Sequence, residues 1–116
     1  MGIYPLDRIE IYVLAKQLNR AAYPILRQIK DFGYRDQMAR SALSMASNIA
    51  EGYGRYNSKS FHLFISYALG SAFEFRLQVE LARDNGLIPS DEADKLILLL
   101  DGWIPRTINF MKSLRS

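Results

Sequence analysis

Residues 57–86 read NSKSFHLFISYALGSAFEFRLQVELARDNG. Asn57 or Ser58 can open a helix here, because either side chain accepts a bond from a first-turn amide that has no partner within the helix. Gly86 supplies the stop. Between them Phe61, Leu63, Phe64, Ile65, Tyr67, Ala68, Leu69, Ala72, Phe73, Phe75, Leu77, Val79 and Leu81 lie nearly all the way round a helical cylinder. No useful length of the chain alternates with a period of two, so the stretch predicts a long helix. It is too apolar to bury a single stripe and leave the rest to water.

Upstream, residues 35–53 are rich in small side chains: Ala39, Ser41, Ala42, Ser44, Ala46, Ser47 and Ala50. Such a helix can approach a neighbour closely. Further upstream, over residues 7–30, Leu14, Leu18, Ala22, Ile25 and Ile29 recur at helical spacing. Pro24 inside this segment predicts a kink near Arg20 and Ala21, or a break. Gly33 reads as the left-handed residue that ends it. Downstream, a helix opens at Ser90 with Asp91 and Glu92 in its first turn, where the helix dipole favours negative charge. It carries an unbroken apolar run at residues 96–100, then Trp103, Ile104, Ile108, Phe110 and Met111, and Pro105 marks a second kink. Four helices and short loops predict an all-α fold: an antiparallel up-down four-helix bundle, kinked near Pro24 and Pro105, forming one domain over residues 1–116. Its third and fourth helices carry more apolar surface than such a bundle can hide, which predicts self-association.

With 116 residues there is room for one core. The apolar share of 49% and charged share of 23% are those of a globular chain. The absence of cysteine excludes disulfides, thiolate metal sites and a cysteine nucleophile. A single histidine, His62, excludes a multi-histidine metal site and reads as a helix-surface or interface residue. No cofactor and no metal are expected. The formal net charge of +3 permits a polyanion partner without demanding one. No membrane span is expected, since no uncharged apolar run approaches about 18–20 residues. The start of the sequence has no basic run followed by an apolar core, and Leu6 stands where myristoylation of Gly2 wants Ser or Thr. A cytoplasmic location is the expectation.

Two sets of polar residues stand out. Asn48, Glu51 and Arg55 share one helical face, and Gly70, Ser71, Glu74 and Gln78 form a file on the next helix. Folding these helices together about a turn near residue 57 sets Arg40 opposite Glu74 as an ion pair. It sets Ser44 opposite Gly70, where the backbones can come close, and Asn48 opposite Ser66 or Tyr67. Arg40, Ser44, Asn48, Glu51, Gly70, Ser71, Glu74 and Gln78 thus read as a structural network. Glu51 or Glu74 as a general base is the enzymatic alternative, but no nucleophile, metal cluster or phosphate loop accompanies either. Gly52-Tyr53-Gly54 is not a P-loop, because no Gly-Lys-Ser/Thr follows. Trp103, Tyr12, Tyr53 and Tyr67 read as packing or interface residues, and Met38, Met45 and Met111 as core filler.

The second set is basic. Lys16, Arg20, Tyr23, Arg27 and Lys30 fall on one stripe of the first helix, which Arg35, Arg55 and Tyr56 extend; Arg55 could equally pair with Glu51. The first 34 residues carry five basic and three acidic side chains, whereas residues 57–116 balance at seven each. A basic stripe with an aromatic in it can track a phosphate backbone. A solvated helix face is the other reading.

The run Ser47-Asn48-Ile49-Ala50-Glu51-Gly52-Tyr53-Gly54-Arg55 resembles the signature of a bacterial four-helix-bundle family first noticed as reading frames inside intervening sequences of 23S ribosomal RNA genes. Gln37-Met38-Ala39-Arg40-Ser41-Ala42 is similar to that family's Gln-Leu-Arg-Arg-Ala-Ala. Ala68-Leu69-Gly70-Ser71 with Glu74 and Gln78 is similar to its Ala-x-Gly-Ser-x-x-Glu-x-x-x-Gln. The likeness extends from about Leu6 to Ser113. Departures are Ala39 in place of the first Arg, Ser41 in place of Ala, and Arg76 where a Glu is common. The resemblance implies an up-down bundle, a homopentameric ring and no enzymatic activity. A related branch is the accessory protein of diversity-generating retroelements, which binds nucleic acid and a reverse transcriptase through a basic surface. The resemblance therefore implies RNA or DNA, and a reverse transcriptase or other ribonucleoprotein, as partners. The function expected is accessory nucleic-acid or ribonucleoprotein binding; the alternative is a protein-interaction oligomer without nucleic acid.

Overall fold

Asn57 and Asp31 set where two of the four helices begin. The Asn57 side chain accepts the Ser60 amide at 2.8 Å, and that of Asp31 accepts the Tyr34 amide at 3.2 Å. Each satisfies one of the orphan donors of a first helical turn. The computed structural model describes residues 5–114. A single 3₁₀ turn, Pro5–Arg8, precedes α1 (Glu10–Leu26), α2 (Phe32–Gly54), α3 (Ser58–Asp84) and α4 (Ser90–Ser113). The described residues contain no strand. The residues read for secretion and for myristoylation at Gly2 fall mostly in 1–4, outside the described residues, as does the Arg115 counted in the charge balance.

The end of α1 corrects the sequence reading. The helix stops at Leu26 rather than Lys30, and Gly33 lies in the first turn of α2. Past Pro24 the bonds tighten: Arg27 N–H still reaches the Tyr23 carbonyl, but Gln28 and Ile29 bond back only three residues, to Ile25 and Leu26. The Asp31 cap then starts α2 before Gly33 can act as a terminator. Gly86, by contrast, adopts φ +73° just beyond α3, the left-handed conformation that glycine tolerates. Both interior prolines stay within their helices.

Packing is cyclic: α1 lies against α2 and α4, and α3 against α2 and α4. Cross-helix bonds fix the antiparallel sense. On α3 and α4, Arg76 meets Asp101 while the later Arg83 meets the earlier Asp94. On α1 and α4, Glu10 meets Arg106, and Gln28, just past α1, meets Glu92. The core runs the length of the bundle, with Ile11, Leu18, Met38, Met45, Ile49, Ile65, Phe75, Val79, Leu96 and Leu100 buried. Trp103 is buried too, and its indole N–H donates to the Ile11 carbonyl at 2.8 Å, so the polar end of the ring is satisfied.

The close approach between α2 and α3 occurs at Gly52. A Cβ there would sit 2.6 Å from the Cβ of Phe64. Gly70, expected to do this opposite Ser44, is exposed and has open space where its Cβ would be. Apolar side chains also remain uncovered by the single chain. On α3 these are Leu63, Tyr67, Phe73, Leu77 and Leu81, and on α4 Leu98 and Leu99.

Candidate nucleic-acid interface

The basic stripe changes carrier on folding. Lys16 and Arg20 stand on α1, Arg27 and Lys30 on the short connection after it, and Arg35 in the first turns of α2. Among the described residues none of these five cations has an ion-pair partner. Three lie over aromatic rings instead: Lys16 over Tyr12 at 4.8 Å, Arg27 over Tyr23 at 5.7 Å and Arg35 over Phe32 at 4.5 Å. Tyr23 and Phe32 are 62% and 65% exposed, so the rings have free surface beyond their cations. Two exposed carboxylates stand in the same segment, Asp31, engaged as a helix cap, and Asp36. Between α1 and α2 runs a groove of about 360 Å³, with Lys16 and Arg20 on its wall, Leu43, Ala46 and Ala50 as apolar lining, and Asn19 and Ser47 as polar lining.

Arg55 is separated from this set. It lies at the opposite end of α2 from Arg35, some 20 residues and about 30 Å away along the axis. It donates to Glu51 at 2.9 Å and sits over the Phe64 ring. Five of the six predicted cations thus belong to the α1–α2 hairpin from Lys16 to Arg35, and Arg55 stands apart at the far end of α2. Tyr56, beside Arg55, is 85% exposed and holds φ +60°.

The expected polar network is assembled in part. Asn48 donates to the Ser44 carbonyl and hydroxyl at 2.9 and 2.8 Å, and the Ser71 hydroxyl donates to that of Ser44 at 2.9 Å. This chain joins α2 to α3. Arg40 and Glu74 do not meet: both are exposed, and among the described residues neither has an ion-pair partner. Asn48 bonds within its own helix rather than to Ser66 or Tyr67. Gln78 carries a buried carbonyl oxygen without a hydrogen-bond partner, beside Gly33, Tyr34 and Gln37 in a shallow hollow between α2 and α3.

Sequence reasoning missed the ionic seam between α3 and α4. Arg76 forks onto Asp101 through two bonds of 2.8 and 3.1 Å and adds Glu80 at 3.1 Å. Arg83 binds Asp94 and Asp84, and Arg106 binds Glu10. The Arg76 hydrogen bond holds the Asp101 carboxyl below the usual carboxylate range; reciprocally, bonding to Asp101 raises the Arg76 guanidinium, and bonding to Asp94 raises that of Arg83. The four-residue spacing of Arg76 and Glu80 was a readable signal.

Residues 63, 67, 70, 74, 77 and 81 repeat at alternating steps of four and three along α3. That is the spacing of a helix–helix seam. Here Leu63, Tyr67, Leu77 and Leu81 on this seam face outward. Among the described residues no helix is long and apolar enough to cross a membrane, and no group of three or more His, Cys, Asp or Glu is arranged to hold a metal ion.

A family profile described as 23S rRNA-intervening sequence protein matches residues 7–106. A crystal structure of a protein of unknown function from the S23 ribosomal protein family of Bacteroides thetaiotaomicron superposes with a TM-score of 0.66 at 19% identity, over 89% of this chain and 93% of that one. At that identity the likeness speaks for the fold. No curated protein matches the chain in sequence.

Proposed function

Because the chain belongs to the 23S rRNA-intervening sequence protein family, we propose that it is a non-enzymatic homo-oligomer that binds nucleic acid, free or within a ribonucleoprotein, as an accessory protein of the cytoplasm. The observation that carries this reading is a segregation of surfaces. Among the described residues, five cations without ion-pair partners follow one another over α1, its connection and the start of α2, while the exposed leucines and aromatics of α3 and α4 lie on helices whose arginines are paired with carboxylates and whose three unpaired lysines, Lys59, Lys95 and Lys112, are spread far apart in the sequence. A paired cation has little charge left for a phosphate, whereas an unpaired one releases a counterion when it binds one.

The α3 seam is the proposed contact between copies, and the family resemblance favours a ring of five. Ring symmetry repeats a modest basic face several times on one particle, so one polyanion can engage several copies and gain avidity. A mobility-shift assay on duplex DNA, single-stranded DNA and structured RNA at 50 and 200 mM salt tests the reading. Binding is expected at low salt, weakening steeply with salt, and lost in the Lys16→Glu/Arg20→Glu/Arg27→Glu variant. No shift at 50 mM salt removes nucleic acid from the proposal and leaves a protein-interaction oligomer. A monomer in sedimentation at micromolar concentration removes the oligomer.

A further inference from the structure

We propose that the α1–α2 face is built for single-stranded rather than duplex nucleic acid, with unpaired bases stacking on Tyr23 and Phe32 and one base entering the groove between α1 and α2. This rests on the nucleic-acid reading above and adds the class of strand.

The cations alone do not discriminate, since a row of unpaired Lys and Arg attracts any polyphosphate. The aromatics do. The segment from Lys16 to Asp36 holds five cations and two carboxylates, which accounts for the chain's whole formal excess of +3. The same segment presents Tyr23 and Phe32, each more than 60% exposed and each with an unpaired arginine over the ring. In a duplex the flat faces of the bases are covered by their neighbours, so an exposed ring on the protein finds only sugar and phosphate. In a single strand every base has a face to offer, and stacking on an aromatic is tolerant of sequence. An arginine stacked on that ring adds a second planar, cationic surface against which a base or phosphate can rest.

The groove makes the same distinction by access. Its volume of about 360 Å³ and its lining of Leu43, Ala46 and Ala50, with Asn19 and Ser47 as hydrogen-bonding groups, fit a planar heterocycle. Lys16 and Arg20 line the same groove and bring positive charge to the phosphates of a strand whose base enters it. A paired base cannot leave its helix to enter it without breaking the pair. Tyr56, the most exposed aromatic among the described residues, stands at the other end of α2 beside a paired arginine and is outside this segment.

The test is fluorescence anisotropy with end-labelled oligo(dT)20, oligo(U)20 and a 20-base-pair duplex at 50 mM salt. Tenfold or tighter binding of either single strand over the duplex is expected, and the tighter of the two identifies DNA or RNA as the preferred source of the strand. Tyr23→Ala/Phe32→Ala is expected to weaken single-strand binding tenfold or more while leaving duplex binding and its salt dependence unchanged. Tyr23→Trp/Phe32→Trp retains the preference. Both positions are exposed, so the variants fold, and circular dichroism verifies it. Equal or tighter duplex binding, or an alanine variant that loses both ligands alike, overturns the single-strand assignment and leaves the broader nucleic-acid reading standing. No binding to any of the three overturns both.

Discussion

Two halves of one bundle handle charge in opposite ways. On α3 and α4, Arg76, Arg83 and Arg106 are each tied to carboxylates, and the outward apolar residues lie among these neutralised pairs. On α1 and α2, Lys16, Arg20, Arg27, Lys30 and Arg35 have no such partners, and three of them rest on aromatic rings. Paired charge beside leucine suits a surface that another protein surface covers, because desolvating a satisfied ion pair is less costly than desolvating a lone cation. Unpaired charge beside exposed rings suits a hydrated polyanion. The difference teaches that net charge understates this molecule: the balance of seven and seven over residues 57–116 hides that the arginines of α3 and α4 are paired, and it is the arginines, with their planar cations, that distinguish the two halves.

The largest expected effect breaks the apolar half. Leu77→Arg with Leu81→Arg removes two outward leucines of the α3 seam. Burying a leucine is worth about 1.5–3 kcal/mol, so assembly should weaken roughly a hundredfold or more. Sedimentation should show monomers while circular dichroism still shows a helical bundle. Unchanged assembly would place the contact between copies elsewhere. In the other half, Lys16→Glu with Arg20→Glu should abolish polyanion binding at 200 mM salt and leave sedimentation unaltered, a crossed pattern that a single mixed-use surface could not give.

A second effect tests how tightly α2 and α3 are joined. Gly52→Ala sets a methyl carbon 2.6 Å from the Cβ of Phe64, which lies too near the backbone to rotate away. Ala favours a helix by about 1 kcal/mol over Gly. Overpacking of a close helix pair typically costs 1–3 kcal/mol, occasionally more. Net destabilisation of up to about 2 kcal/mol is expected, read as a lower denaturant midpoint. The same substitution at Gly70, with open space around it, should be neutral or mildly stabilising. A smaller gain of about 1 kcal/mol is expected from Tyr56→Gly, since a tyrosine at φ +60° is strained where glycine is not.

These positions also show where the sequence was legible. Helix starts and stops with local chemistry were readable: the Asn57 cap, the Gly86 stop and the acidic first turn after Ser90 all appear in the structure. Gly33 misled because a glycine between helices fits either an end or a beginning, and the deciding group was the Asp31 carboxylate reaching Tyr34. Folding α2 onto α3 about the turn gave the correct axial level, as the Ser44–Ser71 bond shows. It gave no rotation about the helix axes. Arg40, Glu74 and Gly70 stand near the right height but on outward faces. The apolar seam was visible as an excess of hydrophobic residues on α3, while the α3–α4 ion pairs depended on a register between two helices that no single-helix pattern encodes. The basic stripe was legible for Lys16 and Arg20, which follow the period of α1, whereas the helical extrapolation to Lys30 ran past the end of that helix, and Arg55 stands at the far end of α2, paired with Glu51.

The smallest effect bears on the paired half through pH. Asp101 accepts two bonds from Arg76, and its carboxyl titrates below the ordinary range for that reason. A depressed carboxyl in the folded state contributes stability above the unfolded value, about 3.9, and that contribution is lost as pH falls through the folded value. The Asp101 side chain is 49% exposed, so solvent screening holds the contribution to under about 1 kcal/mol. Asp101→Asn should therefore lower Tm slightly at pH 7, and the deficit should close as the pH falls below the ordinary carboxylate range and through the folded value. Arg20→Ala, which breaks no pair, should leave Tm unchanged at both ends of that range while reducing the salt dependence of polyanion binding by about one ion. A Tm deficit for Asp101→Asn that persists in strong acid would mean the α3–α4 fork acts through packing rather than charge, and the electrostatic contrast between the two halves would then rest on the α1–α2 cations alone.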